Sequence, residues 1–163
     1  MENFFTWELA YKIITAFVAS VAFAVILRIN RRHLLLSGVG AAITFFVYAL
    51  ANALIGSLFA AAFISTLVAT LYAEVLARLR RAPTIVYTLT GVIPTVPGGD
   101  LYHAMRSLLM NDNESAITYF VGAIYIGLGI AGGIFTMSIL FGITLDLISF
   151  IKKKLIYSKK ASP

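Results

Sequence analysis

The chain alternates long apolar runs with short polar breaks, and no run keeps a two-residue alternation. Apolar stretches cover residues 5–27, 34–54, 56–77, 84–92 and 116–151. Four of them are long enough for an α-helix to cross a hydrocarbon core of about 30 Å. The pattern predicts an all-α integral membrane protein, a single transmembrane domain over 1–163 with about five spans. Helix one carries Ala16, Ser20 and Ala24 at four-residue spacing, and helix three has Ser57 and Ala61 one turn apart. Small residues at such spacing let a second helix approach closely. The last helix offers Gly129, Gly132 and Gly133, with Gly129 and Gly133 forming a GxxxG pair, as a bend or a close contact.

The exception to the pattern is PTIVYTLTGVIPTVPGGDLYHAMR, residues 83–106. Its flanks are apolar, but its centre holds Pro94, Pro97, Gly98 and Gly99. A continuous helix cannot run through these prolines, which lack the N–H and clash with the preceding turn. Half-helices over 84–92 and 100–111 would span roughly 14 and 18 Å, so only together do they match a bilayer. The fourth span is therefore predicted to break at residues 94–99. Non-helical backbone at membrane depth is tolerated where it is buried in protein or lines a polar cavity. Whether residues 84–110 cross the membrane or re-enter it stays open at this point.

Composition supports the membrane reading. Hydrophobic residues make up 60% of the chain and charged residues 12%, about half the charged share of a soluble domain; the mean hydropathy is +0.92. The net charge of +6 does not signal nucleic acid. Of the 13 basic residues, 11 fall in three clusters, at 28–32, 78–81 and 152–160. Each cluster follows an apolar run, which is the positive-inside pattern. That places the basic ends in the cytoplasm, the 111–115 turn outside, Met1 outside and residues 152–163 as a basic cytoplasmic tail. The expected location is the bacterial cytoplasmic membrane. Residues 1–8 are acidic and have no basic n-region, so the first helix is read as retained. Trp7 and Tyr11 suit an interfacial anchor, and Lys12 can snorkel.

The candidate chemistry gathers around the break. Gly98 and Gly99 leave backbone amides uncovered at a half-helix N-terminus, which favours an anionic group. Asp100, His103 and Arg106 follow at spacings of three, on one side of a helix. Asp100 either contacts substrate or caps the half-helix. His103 either changes charge near neutral pH or packs as a neutral ring. Arg106 either binds a carboxylate in bidentate fashion, pairs with Asp100, or sits among headgroups. Tyr87, Thr88 and Thr95 are further candidates for the same lining. Glu74 lies four residues before Arg78, a spacing for an ion pair or for a proton-coupled carboxylate; Asp146 is the second candidate for proton coupling. His33 is read as part of a basic loop. The sequence has no cysteine and no G-x-S-x-G, H-E-x-x-H or G-x-x-x-x-G-K-[ST] pattern, so no enzyme activity, metal site or cofactor is predicted.

Arg80, Ala82, Pro83, Gly91-Val92-Ile93-Pro94, Pro97-Gly98 and Tyr102 together resemble the threonine/serine exporter family, in its carboxy-terminal half. The resemblance implies export of small polar metabolites, threonine and serine or succinate-like dicarboxylates. It implies drive from the proton gradient and a larger membrane partner subunit carrying the other half, with roughly ten spans together. Two halves related by a pseudo-two-fold axis would bring two breaks together at the midplane. The expected partners are thus that subunit, the lipid bilayer and a small anionic or zwitterionic substrate. A homo-oligomer is also open. The competing reading is a scaffold or assembly subunit without substrate contact.

Overall fold

The computed structural model describes residues 7–160. Six helices follow in order: α1 Trp7–Ile26, α2 Arg31–Ile55, α3 Leu58–Arg80, α4 Thr84–Val92, α5 Gly98–Leu109 and α6 Asn113–Lys160, with a 3-10 turn Ile93–Thr95 after α4. The described residues contain no strand. Trp7–Ile26, Arg31–Ile55, Leu58–Arg80 and Asn113–Ile148 are long and apolar enough to cross a membrane. With the broken α4–α5 segment this makes the expected five spans of a multi-pass membrane protein.

Local chemistry sets the ends. The Asn30 side chain accepts from the Arg32 N–H at 3.2 Å and caps α2. Arg31, Arg32 and His33 therefore form the first turn of α2, not the loop expected over 28–32. Gly56 ends α2 at φ 70, a left-handed conformation that costs glycine little. Ser57 caps α3 through the Ala60 N–H. α3 runs to Arg80, so Arg78 and Arg80 are helical where a loop was expected; Arg81 turns left-handed and Pro83 prevents continuation. α6 begins at Asn113 because Asp112 accepts from the Ser115 N–H at 3.1 Å. Its 48 residues form one uninterrupted helix, about 72 Å long. The expected limits of 116–151 were too short, and residues 152–160 continue the helix instead of fraying as a tail. The predicted start of helix one at residues 5–6 and the tail end 161–163 lie outside the described residues.

α3 is central, packing on α2, α4 and α6, while α1 packs on α2 and α5 packs on α6. The interior is built from small and hydroxyl side chains. Ala24, Ala41, Ala61, Ala62, Ala73, Ser20, Ser37, Thr44, Ser65, Thr66 and Thr90 are fully enclosed, whereas Trp7, Leu79, Leu109 and Phe135 face outward. Lipid is as apolar as leucine, so burying large side chains yields little there; close backbone approach yields more. α3 and α6 show this most clearly. A Cβ on Gly129 would lie 2.6 Å from the Phe59 carbonyl oxygen, and one on Gly133 2.8 Å from that of Phe63. The predicted GxxxG pair is thus a close contact with α3 inside an unbroken helix. Gly38 against the Phe17 ring and Gly40 against the Tyr72 ring are also close, but there the neighbour is a side chain and not backbone.

Gly129→Ala should destabilise the fold by about 1–3 kcal/mol, because the methyl meets backbone. Gly127→Ala should be silent, since a Cβ there meets nothing within 4 Å. Denaturation of the detergent-solubilised protein would separate the two. A milder effect is expected at the α6 cap. Hydrogen bonds from Ser115, the side chain's first and the backbone N–H's second, hold the Asp112 carboxyl below its ordinary range. A depressed carboxyl stabilises above its unfolded pKa and loses that effect as pH falls through the folded one. Acidification should therefore fray the first turn of α6, read by amide exchange at residues 113–116.

Candidate functional site

The break is organised by the hydrogen bonds that its prolines cannot make. Pro94 has no N–H to offer the Thr90 carbonyl one turn back. That carbonyl is taken by the Ser20 hydroxyl of α1, at 2.8 Å, and Ser20 also reaches the Ser37 carbonyl of α2 at 3.3 Å. One fully buried hydroxyl thereby ties α1, α2 and α4 together at the break. Beyond it, Val96 N–H donates to the Ile93 carbonyl at 3.1 Å and closes the 3-10 turn. The Thr95 hydroxyl returns to the Val92 carbonyl at 2.7 Å. α5 then starts at Gly98, two residues earlier than expected, with Pro97 as its cap residue and its carbonyl accepting from Leu101.

Contacts along α2 trace the path of the segment. Tyr87 meets His33, Thr90 meets Ser37, Gly91 lies near Thr44, and Pro94 borders a groove with Phe45. Asp100 is within electrostatic reach of Tyr48 and lies beside Gly122 of α6. Each step advances along α2 from its Arg31 end towards its Ile55 end. Residues 87–100 thus run along α2 in one direction, and α5 then packs on α6. α6 returns past Phe59, Phe63 and finally Arg78.

On α5 the candidate residues share a helix but make no bonds to one another. Gly98 and Gly99 are exposed, and a Cβ on either would meet nothing within 4 Å. Neither has positive φ, so neither packing nor backbone conformation demands glycine here. Asp100 is half-buried at the α6 seam, and no side chain caps α5, so Asp100 is not its cap. The His103 ring lies 5.2 Å from that of Tyr119 and 5.5 Å from that of Tyr102. Arg106 is exposed and makes no ion pair among the described residues, with Asp100 or with any other. Pro94 floors a groove of about 290 Å³ with Lys12, Thr15, Ala16, Ala19 and Phe45. Lys12 thus stands beside the break as well as near the membrane surface.

The other candidates lie at the opposite end. Glu74 pairs with Arg78, whose guanidinium also sits 4.5 Å from the centre of the Phe141 ring. Asp146 lies further along α6 and is exposed. Glu74 is sixteen residues of α3 from the Leu58 end, about 24 Å along the helix from the level of Asp100. Tyr87 and Thr88 point inward: Thr88 bonds the Thr84 carbonyl at 3.1 Å, and the Tyr87 hydroxyl meets His33 Nδ1 at 2.5 Å. The His33–Tyr87 pair was missed because His33 was assigned to a loop. The signal available was Asn30, a good N-cap three residues before it.

The family model described as Threonine/Serine exporter, ThrE, matches residues 12–140. The chain belongs to the threonine/serine exporter family. Comparisons with curated proteins and with solved structures find no match. The matched region runs from within α1 to the middle of α6, so this exporter-family region contains every element around the break. The family is one of membrane transport proteins, not an enzyme class.

Ser20→Ala would leave the Thr90 carbonyl without its donor beside a proline. The expected loss is about 1 kcal/mol, in the range of single hydrogen bonds within membrane bundles. Ser138→Ala, at an exposed position, is the control in the same unfolding experiment.

Proposed function

We propose that this chain is one half of an exporter for small polar metabolites, threonine and serine or succinate-like dicarboxylates. It works with a larger membrane subunit that supplies the other half. The observation that carries this reading is a helical segment interrupted by prolines inside the bundle, with Pro94 beside an open groove and exposed glycines at 98 and 99. Discontinuous helices of this kind place substrate groups at half-helix ends near the midplane. In this reading Gly98, Gly99, Asp100, His103 and Arg106 contact substrate. Arg106 is the group for a carboxylate, since it has no ion-pair partner among the described residues. Pro94 and Pro97 hold the break open. The proton gradient drives export, with Glu74 and Asp146 as carboxylates at the basic end. That end faces the bacterial cytoplasm, and Met1 lies outside.

The test is efflux from cells loaded with labelled threonine, serine or succinate, with this chain expressed alone and with a candidate larger half. Export should require both. Arg106→Ala removes a charge-assisted contact worth about 1.5–3 kcal/mol, so the substrate should be held roughly 10- to 100-fold more weakly. Gly98→Leu has room in the fold and should block export at unchanged protein level. Unaltered flux in both variants would remove the site from α5. No flux of any of the three substrates with both halves folded would favour the scaffold reading.

A further inference from the structure

The one histidine–tyrosine hydrogen bond among the described residues joins the first turn of α2 to α4. His33 is half-buried and Tyr87 is 1% exposed. Their rings meet edge to face, with centroids 5.6 Å apart. The Tyr87 ring packs on Ala73 and Ala77 of α3, so its hydroxyl has little freedom. α4 is short, nine residues, and ends in the proline break. It packs on both α2 and α3, and the His33–Tyr87 bond is its direct side-chain hydrogen bond to α2 among the described residues.

We infer that His33 and Tyr87 form a single-proton binding site whose occupancy sets how α4 seats on α2. With His33 neutral at Nδ1, that nitrogen accepts from the Tyr87 hydroxyl. A proton arriving at Nδ1 reverses the bond: Nδ1–H donates to the tyrosine oxygen, and the tyrosine's own hydrogen must find another acceptor. Tyr72, the neighbouring phenol on α3, already donates to the Leu36 carbonyl at 2.8 Å. Ser37, one turn further along α2, has a fully buried hydroxyl without a partner. Accepting hydrogen-bond capacity thus exists on α2, one turn from His33, and no bond joins Tyr87 to it among the described residues.

The charges around the pair act in the same direction. Arg31 and Arg32 precede His33 on its own turn, and Arg28 lies in the preceding loop. From α3, Arg80 lies within electrostatic reach of Tyr87. Glu74, the carboxylate of α3, is held by Arg78. A proton on His33 therefore adds positive charge to a cationic rim and to a helix N-terminus, while the reversed bond takes from the Tyr87 hydroxyl its acceptor on α2. The site concerns proton binding and α4 alone, so it stands or falls separately from the substrate reading above.

The experiment uses the full chain in lipid nanodiscs. His33 and His103 are its two histidines and it has no cysteine. His103→Gln leaves one imidazole for NMR of labelled histidine. Leu35→Cys and Ile85→Cys place spin labels on α2 and α4, at positions 68% and 63% exposed. As pH is lowered, the label distance should lengthen with the same midpoint as the protonation read from the His33 signal. His33→Gln keeps a neutral hydrogen-bonding side chain and should hold the distance at its high-pH value. Tyr87→Phe should abolish the pH dependence of the distance and move the His33 midpoint, and it decides the matter if His33→Gln does not fold. A distance that stays constant while His33 titrates would overturn the inference. So would a pH-dependent distance that survives His33→Gln. Efflux in the same variants is a separate reading, and its loss alone would count against the exporter proposal only.

Discussion

The backbone contact between α3 and α6 is the constraint on which the rest depends. At Gly129 and Gly133 no side chain separates the helices, and carbonyls of Phe59 and Phe63 occupy the space a Cβ would need. This fixes the register of the longest helix against the central one. It also places Gly122 beside Leu58 and Asp100, and so decides where α5 can lie. In lipid there is no solvent drive to pull these helices together, so contact distance itself must supply the attraction.

The same logic explains the inverted interior. Hydroxyl side chains are enclosed and large apolar ones face outward. Several enclosed hydroxyls bond a carbonyl of their own helix one turn back, as Thr44 does to Gly40 and Thr90 to Val86, while those of Ser37, Thr66 and Thr70 have no bond among the described residues. Ser20 differs, because it reaches two other helices and takes the acceptor that Pro94 abandons. A proline break in a membrane helix is stable when a neighbour satisfies the freed carbonyl. Here that neighbour belongs to the small-residue stripe of α1, so one sequence feature serves both packing and repair.

The molecule has two chemically distinct ends. Basic residues, the Glu74–Arg78 pair and the His33–Tyr87 pair occupy one; the bare glycines, Asp100, His103 and Arg106 occupy the other, across the break. A transport cycle needs its two ends to communicate, and α4 is the element that leads from the basic end into the break. It is anchored by tyrosine at one end and interrupted by proline at the other.

Hydropathy and punctuation in the sequence were sufficient for the membrane class, for the number of spans and for the limits of α4, because apolar length and proline act locally and no neighbour can override them. The family pattern around Pro83, Pro94 and Pro97 was legible for the same reason. The GxxxG pair was visible too, although not which helix it faced. Helix ends were less secure: Asn30 and Asp112 act through single capping bonds that lengthen α2 and α6 beyond their apolar runs. What tertiary structure alone decided was partnership. That His33 meets Tyr87, that Ser20 serves Thr90, and that Arg106 and Asp100 stay apart are contacts between residues up to 70 positions apart or across turns of one helix. Spacing along the chain sets the face a residue occupies, but only the packing of helices determines what that face meets.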